Sequence, residues 1–391
     1  MKKHFETLAV RTQLPSSQYH EHSVPLYLTS SYTFDSAEEG ADLFSNKQEG
    51  YLYSRLGNPN TDEFVQKLAL LEGAENGIAT ATGMAAFFSV LGALLKTGDH
   101  VLASGSIFGS SRHVIENILP NWGIDHDFVG IKEADTWEES FKPNTKLVFV
   151  ETPANPTLNL IDIEWLAGLC HKHGALLVVD NTFATPYLQQ PIAFGADLVV
   201  HSATKYIDGQ GRVLGGVIVG SKQLIETCAH FIHKTGPSLS SFNSWVLSKS
   251  LETLAVRMDR HCSNALVLAQ YLEKQTEIEQ VTYPFLPSFG QFELAQKQMK
   301  QGGGLVSCII KGGIERGRRF LNALELHSLT ANLGDTRSIA THPASTTHCK
   351  LSPEVQLSLG ITPGLIRFSA GLEHIDDIIL DIEQALNKSK S

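Results

Sequence analysis

The stretch Asp197-Leu198-Val199-Val200-His201-Ser202-Ala203-Thr204-Lys205-Tyr206 sets the terms for this chain, because a short apolar run stops abruptly on hydroxyls and a lysine. Glycines follow at 209, 211, 215 and 216. Upstream, Ala175-Leu176-Leu177-Val178-Val179-Asp180-Asn181-Thr182 repeats the device with a carboxylate at its end. Unbroken apolar runs of this length read as central parallel strands, buried on both faces. His100–Ser104, Lys146–Glu151 and Val213–Val219 read as further strands, and helical patterns over Ala85–Leu95 and Glu164–His173 fall between them. Such alternation predicts a doubly wound, mostly parallel α/β sheet. Sheets of that kind collect ligands at the carboxyl ends of their strands, where the polar residues of this chain sit.

Lysine beside a carboxylate is also what an ordinary ion pair looks like. The strand-end setting favours a chemical reading. A buried lysine with a depressed pKa is a Schiff-base nucleophile, and a carboxylate facing a pyridinium nitrogen lets pyridoxal phosphate (PLP) act as an electron sink. Lys205 and Asp180 are the candidates for these roles. A small-residue turn, Thr82-Gly83-Met84-Ala85-Ala86, opens the helix that follows Gly77–Ala81 and offers backbone N–H groups to a phosphate. Phe108 follows the strand His100–Ser104, where an aromatic could stack on a flat cofactor or simply fill the core.

Composition excludes other classes. With 31 basic and 41 acidic residues the formal net charge is -10, which suits neither nucleic acid nor an anionic membrane surface. No apolar span is long enough to cross a bilayer. The basic start Met1-Lys2-Lys3 has no apolar run behind it, so no signal peptide is expected and the cytosol is the expected compartment. Cys170, Cys228, Cys262, Cys308 and Cys349 are scattered and odd in number, against a disulfide framework or a zinc site. His171 with His173, and His230 with His233, lack the further ligands that zinc needs. Ser202-Ala203-Thr204-Lys205 and Lys234-Thr235-Gly236 match the SxxK and KTG patterns of penicillin-recognising serine hydrolases, but no SDN lies between them and the SxxK ends a strand. A non-enzymatic binding module would not need polar residues at one strand end after another.

Residues 1–60 lack a sustained period and read as an extended arm. A helix is expected from Thr61, with Thr61 and Asp62 as caps. The arm is followed by a large domain over 61–247 and a C-terminal α+β domain over 248–391. One long amphipathic helix running through Val246, Leu254, Met258, Leu266 and Leu272 bridges the two. In the C-terminal part Leu305–Ile310 and Leu365–Ala370 read as strands, and Glu315–Ala323 and Ile375–Leu386 as helices.

Tyr53-Ser54-Arg55-Leu56-Gly57-Asn58-Pro59, Thr82–Ala86, Glu151-Thr152-Pro153-Ala154-Asn155-Pro156, Asp180–Pro186, Ser202–Tyr206 and Arg367-Phe368-Ser369-Ala370-Gly371-Leu372-Glu373 together resemble the Cys/Met-metabolism PLP enzymes. The motifs occur in that family's order along nearly the whole chain. The resemblance implies the aspartate-aminotransferase-like fold (fold type I) and PLP as cofactor. Lys205 would carry the cofactor and Asp180 would pair with its ring nitrogen. Ser202, Thr204 and the N–H groups of Gly83 and Met84 would hold its phosphate, with Thr182 beside them. Phe108 would stack on the ring. Tyr53 and Arg55 would reach the phosphate of a neighbouring subunit, implying a homotetramer built as a dimer of dimers. Arg367 would clamp the substrate α-carboxylate, helped by Asn155 and Ser338.

Within the family, the segments Asn332–Ser338, Thr341–His348 and His201–Arg212 are most similar to the O-succinylhomoserine sulfhydrylases. Phe108 stands where the lyases and cystathionine γ-synthases usually carry a tyrosine. The reaction so implied is γ-replacement in methionine biosynthesis: O-succinylhomoserine and sulfide give homocysteine and succinate. Lys205 would shuttle protons from Cα and Cβ. Cystathionine γ-synthase or a cystathionine lyase, using cysteine or cystathionine at the same cofactor site, is the alternative.

Overall fold

Burial on both faces of the apolar runs is what organises the computed structural model, which describes residues 3–130 and 134–390. Met1 and Lys2, part of the leader reading, lie outside that range. Seven strands form the main sheet: β1 (Asn76–Thr80), β2 (His100–Ser104), β3 (Asp125–Val129), β4 (Thr145–Glu151), β5 (Leu176–Asp180), β6 (Leu198–Ser202) and β7 (Gly216–Gly220). Their order is β1-β7-β6-β5-β4-β2-β3. Pairings from β3 through β6 are parallel, whereas β7 runs antiparallel to both β6 and β1. Alternate residues feed separate cores. Leu102, Val148, Val150, Leu177, Val179 and Val199 join one apolar cluster, and Val101, Ala103, Leu147, Phe149, Val178 and Val200 join the other. This is why these strands carry no polar alternation.

A second sheet is built from the C-terminal part: β8 (Ile278–Thr282), β9 (Leu305–Ile310), β10 (Ser328–Leu329), β11 (Ile339–Thr341) and β12 (Leu365–Ser369), in the order β10-β11-β12-β9-β8. A third cluster, including Leu268, Val306, Phe320, Ile366, Phe368 and Ile382, fills the space between it and its helices.

Several boundaries differ from expectation. The helix expected from Thr61 spans Pro59–Glu72, capped by Asn58 with Pro59 in its first turn. Proline there loses no helical hydrogen bond, since the first N–H groups are free in any case. The single bridging helix is two, Ser241–Leu251 and Leu254–Glu273. Arg257 of the second accepts the role of a cap for the first, donating to Ser250 O at 3.0 Å. The arm holds two short helices, Phe5–Arg11 and Ala37–Phe44, the latter capped by Ser36. Lys234-Thr235-Gly236 closes the helix Lys222–Thr235, with Gly236 as its left-handed cap, so it serves as a helix terminus. Among the described residues no helix is long and apolar enough to cross a membrane.

The C-terminal helix Ile375–Lys388 is tied down by one carboxylate. Asp381 accepts the backbone N–H groups of Glu325, Leu326 and His327 at 2.7–3.1 Å and the imidazole Nδ1 of His327 at 2.7 Å. Asp381→Asn turns an NH2 toward some of these donors. The variant should lose roughly 1–3 kcal/mol of stability, read from urea unfolding; an unchanged midpoint would refute the account.

Candidate functional site

The parallel strands end on one side of the main sheet, and their last residues converge there. Asp180 closes β5 and Ser202 closes β6. Thr182 links them: its N–H donates to Asp180 Oδ1 at 3.0 Å and its hydroxyl accepts the Ser202 N–H at 2.9 Å. Thr204 lies in the following turn, where its hydroxyl meets Gly215. The helix Gly83–Leu94 starts against the same strand end. A Cβ on Gly83 would lie 2.6 Å from Ser202 Cβ, so only glycine lets the helix approach this closely. Thr82 caps the helix by accepting from Ala85 N, which leaves the N–H groups of Gly83 and Met84 as the unsatisfied donors of a first turn.

Lys205 projects into this region and donates from Nζ to Asn332 Oδ1 at 2.8 Å. Burial, and then the charge of Arg367, lower its pKa to about 8. The neutral amine, which is the nucleophile, is therefore reached more than two pH units below the usual lysine range. At the end of β5, burial holds the Asp180 carboxyl above its usual range. No lysine or arginine pairs with Asp180 among the described residues. A half-buried acid with no lysine or arginine beside it is a place that a protonated ring nitrogen would complete.

Arg367, on β12, is 1% exposed. It donates to Asn155 Oδ1 and to Asn332 O at 3.0 Å each, and to Thr341 Oγ1 at 3.3 Å. Its Nε is buried without a partner. A guanidinium desolvated among neutral acceptors can take an anion as its further partner. Phe108 caps the short helix Gly109–His113 and is 40% exposed, so its ring faces open space rather than the core.

Not every expected residue joins this group. Ser338 is buried, and its hydroxyl donates to Glu373 Oε2 at 2.9 Å and accepts the Gly371 N–H at 2.9 Å. It clips two backbone segments together and is not among the partners of Arg367. Tyr53 and Arg55 lie apart from Lys205: Arg55 stacks on the Tyr53 ring and donates to the His233 carbonyl. Asn332 and Thr341 contact the site without having been singled out. Their segment is pressed onto the lysine turn at Gly334, where φ is +74° and a Cβ would lie 2.7 Å from Tyr206 N.

The family model of the Cys/Met metabolism PLP-dependent enzymes matches residues 6–387. The chain belongs to this family. It is accordingly a PLP-dependent enzyme, and the site fits that cofactor: an amine of lowered pKa, a half-buried acid with no lysine or arginine beside it, and a glycine-tight helix start. An O-succinylhomoserine sulfhydrylase of Pseudomonas aeruginosa is 46% identical over 98% of this chain and 95% of its own. An L-methionine gamma-lyase of Pseudomonas putida is 44% identical over 93% and 92%. The solved structure of a putative O-acetylhomoserine (thiol)-lyase from Campylobacter jejuni, which carries a pyridoxyl-lysine monophosphate at its position 205, matches with a TM-score of 0.94. It is 36% identical and covers 98% of this chain and 99% of its own.

A pH dependence follows from the Lys205 environment. Covalent capture of PLP by the cofactor-free protein should accelerate as pH rises through about 8, because the attacking amine must be neutral. Arg367→Met removes a neighbouring positive charge, so the midpoint should move upward. Stopped-flow absorbance across a pH series reads both; a downward shift would contradict the assigned cause.

Proposed function

We propose that the protein catalyses γ-replacement on O-succinylhomoserine with sulfide, giving homocysteine and succinate. One observation carries the reading of an amino-acid substrate: Asn332 bridges the two decisive cations, accepting Lys205 Nζ on its side chain and Arg367 Nη2 on its backbone oxygen. An α-carboxylate on Arg367 therefore brings its Cα beside the amine of Lys205. PLP, when bound, supplies an electron sink for charge developing at that carbon.

The residues of the chain do the rest. Lys205 is the base that takes the Cα proton, and its lowered pKa suits a group that must both accept and return a proton near neutral pH. The same amine serves Cβ, so that the C–O bond at Cγ breaks, succinate leaves and a C–S bond forms. Asp180 holds the ring nitrogen protonated. Ser202, Thr204, Gly83 and Met84 hold the phosphate, with Thr182 fixing Ser202. Phe108 stacks on the ring without offering a phenol as acid or base, in keeping with sulfhydrylase rather than lyase chemistry.

Tyr53 and Arg55 serve the phosphate of a neighbouring subunit in a homotetramer. What supports this is that Arg55 bonds to His233 and stacks on Tyr53 instead of joining the residues of the local site, and that the arm exposes apolar side chains, Leu28 and Phe44 among them. Analytical ultracentrifugation reads the assembly.

The likeness to a methionine lyase supports a second reading, γ-elimination. Purified enzyme given O-succinylhomoserine with sulfide should yield homocysteine. Release of 2-oxobutyrate from methionine instead would support elimination, and cystathionine from added cysteine would make the protein a synthase.

A further inference from the structure

A buried carboxyl group lies beside Asp180, and the chemistry above does not use it. Glu151 closes β4 in register with Asp180 at the end of β5, and it is 1% exposed. Its two oxygens go separate ways. Oε2 accepts the N–H of Phe108 at 2.8 Å, and Oε1 accepts the N–H of Asn155 at 3.0 Å. Phe108 stands in the segment after β2 and Asn155 in the turn after β4. One side chain thus fixes the backbone of both, and from Asn155 the contacts continue through Oδ1 to Arg367.

This placement is costly. Burial pushes the Glu151 carboxyl well above its usual range, and the Asp180 charge pushes it further. Among the described residues no lysine or arginine pairs with it. Packing alone would be served by leucine or methionine at no such cost. What a carboxylate adds is two acceptors at a fixed separation, each able to take a backbone donor from a different loop.

We propose that Glu151 is a positioning residue, which sets the Phe108 ring and the Asn155–Arg367 pair at the separation that an amino-acid substrate over the cofactor requires. It touches neither substrate nor cofactor. The inference rests on the reading of Phe108 and Arg367 given above.

Glu151→Gln keeps the shape but has one acceptor oxygen, so one of the two N–H groups faces an NH2. Glu151→Asp keeps the carboxyl group but is a methylene too short to span both loops. The test is a double-mutant cycle on the holoenzyme with Glu151→Gln, Asn155→Ala and the pair, read by titrating the cofactor's absorbance with L-alanine. That probe asks only for an α-amino acid and not for a particular acyl donor. Glu151→Gln should weaken L-alanine binding about tenfold to a hundredfold and change the circular dichroism band of the bound cofactor, since the ring above it moves. Added to Asn155→Ala it should cost clearly less than it costs alone, because the share of its effect that runs through Asn155 Oδ1 to Arg367 is already lost while the share through Phe108 remains. Additive losses, or a fall in the melting temperature with binding and dichroism unchanged, would overturn the proposal. If Glu151→Gln does not fold, Glu151→Asp takes its place in the same cycle with the same expectation. Wild-type enzyme that ignores O-succinylhomoserine would sink the substrate reading alone, leaving the cycle to judge Glu151.

Discussion

Turnover by Lys205→Ala is expected to fall about ten-thousandfold or more, because one amine is asked both to anchor the cofactor and to move the proton at Cα. The amine has no evident substitute: its hydrogen-bond partner is the amide of Asn332, which cannot act as a base. Two readouts separate the roles. Borohydride treatment should fix the cofactor to wild-type protein and not to the variant. Exchange of the L-alanine Cα proton with deuterium oxide should be lost together with turnover; exchange at the wild-type rate in the variant would require a different base. The protein should nevertheless fold, since the turn that carries Lys205 is held from behind. Arg257 donates to Tyr206 O at 2.6 Å and to Ile207 O at 3.1 Å, and neither bond depends on the lysine side chain.

Why so much of this site was legible in the sequence lies in the geometry of parallel sheets. The last residue of a buried strand must face the carboxyl edge, so Asp180 and Ser202 were placed as soon as their apolar runs were seen. Four strands have no counterpart in the sequence pattern: β10 and β11 are too short, at two and three residues, to carry a period, and β3 and β8 lack an unbroken apolar run. Asp125–Val129 pairs only with β2 at the sheet edge, and Ile278–Thr282 is largely solvated and also pairs on one side only. Strands of that kind owe their form to a neighbour more than to their own residues. The break between the helices at 251 and 254 carries no glycine or proline; it depends on Arg257 reaching Ser250 O, which only the folded chain reveals. The helix start at Asn58-Pro59 carries the usual signal of a cap followed by proline, and Thr61 and Asp62 just after it offer a competing one.

The same division holds within the site. Thr341 faces Arg367 across the antiparallel pair β11–β12 and Asn332 lies in the loop before β11, so their contact depends on strand pairing and not on spacing. Ser338 shows the converse. A serine in a suggestive segment is consumed by Glu373 and Gly371, because a buried hydroxyl takes the nearest partners that satisfy it. Glu151 was visible as one more polar residue at a strand end, but its two bonds to separate loops had no sequence signature.

Arg367→Lys is expected to raise KM for the amino-acid substrate roughly a hundredfold while changing kcat far less. The reason is a count of donors. Arginine has five N–H groups, and three go to Asn155, Asn332 and Thr341. Two remain, including the buried and unpartnered Nε. A lysine has three donors on one nitrogen, so satisfying the same three acceptors leaves none for a carboxylate. Charge alone is preserved, and with it the effect that holds the Lys205 pKa down; the pH midpoint for cofactor capture should therefore stay near that of the wild type. Loss of substrate binding with an unmoved midpoint would separate the shape of the guanidinium from its charge. An unchanged KM would mean that the α-carboxylate is read elsewhere, and Arg367 would then be a structural cation joining β12 to the turn after β4.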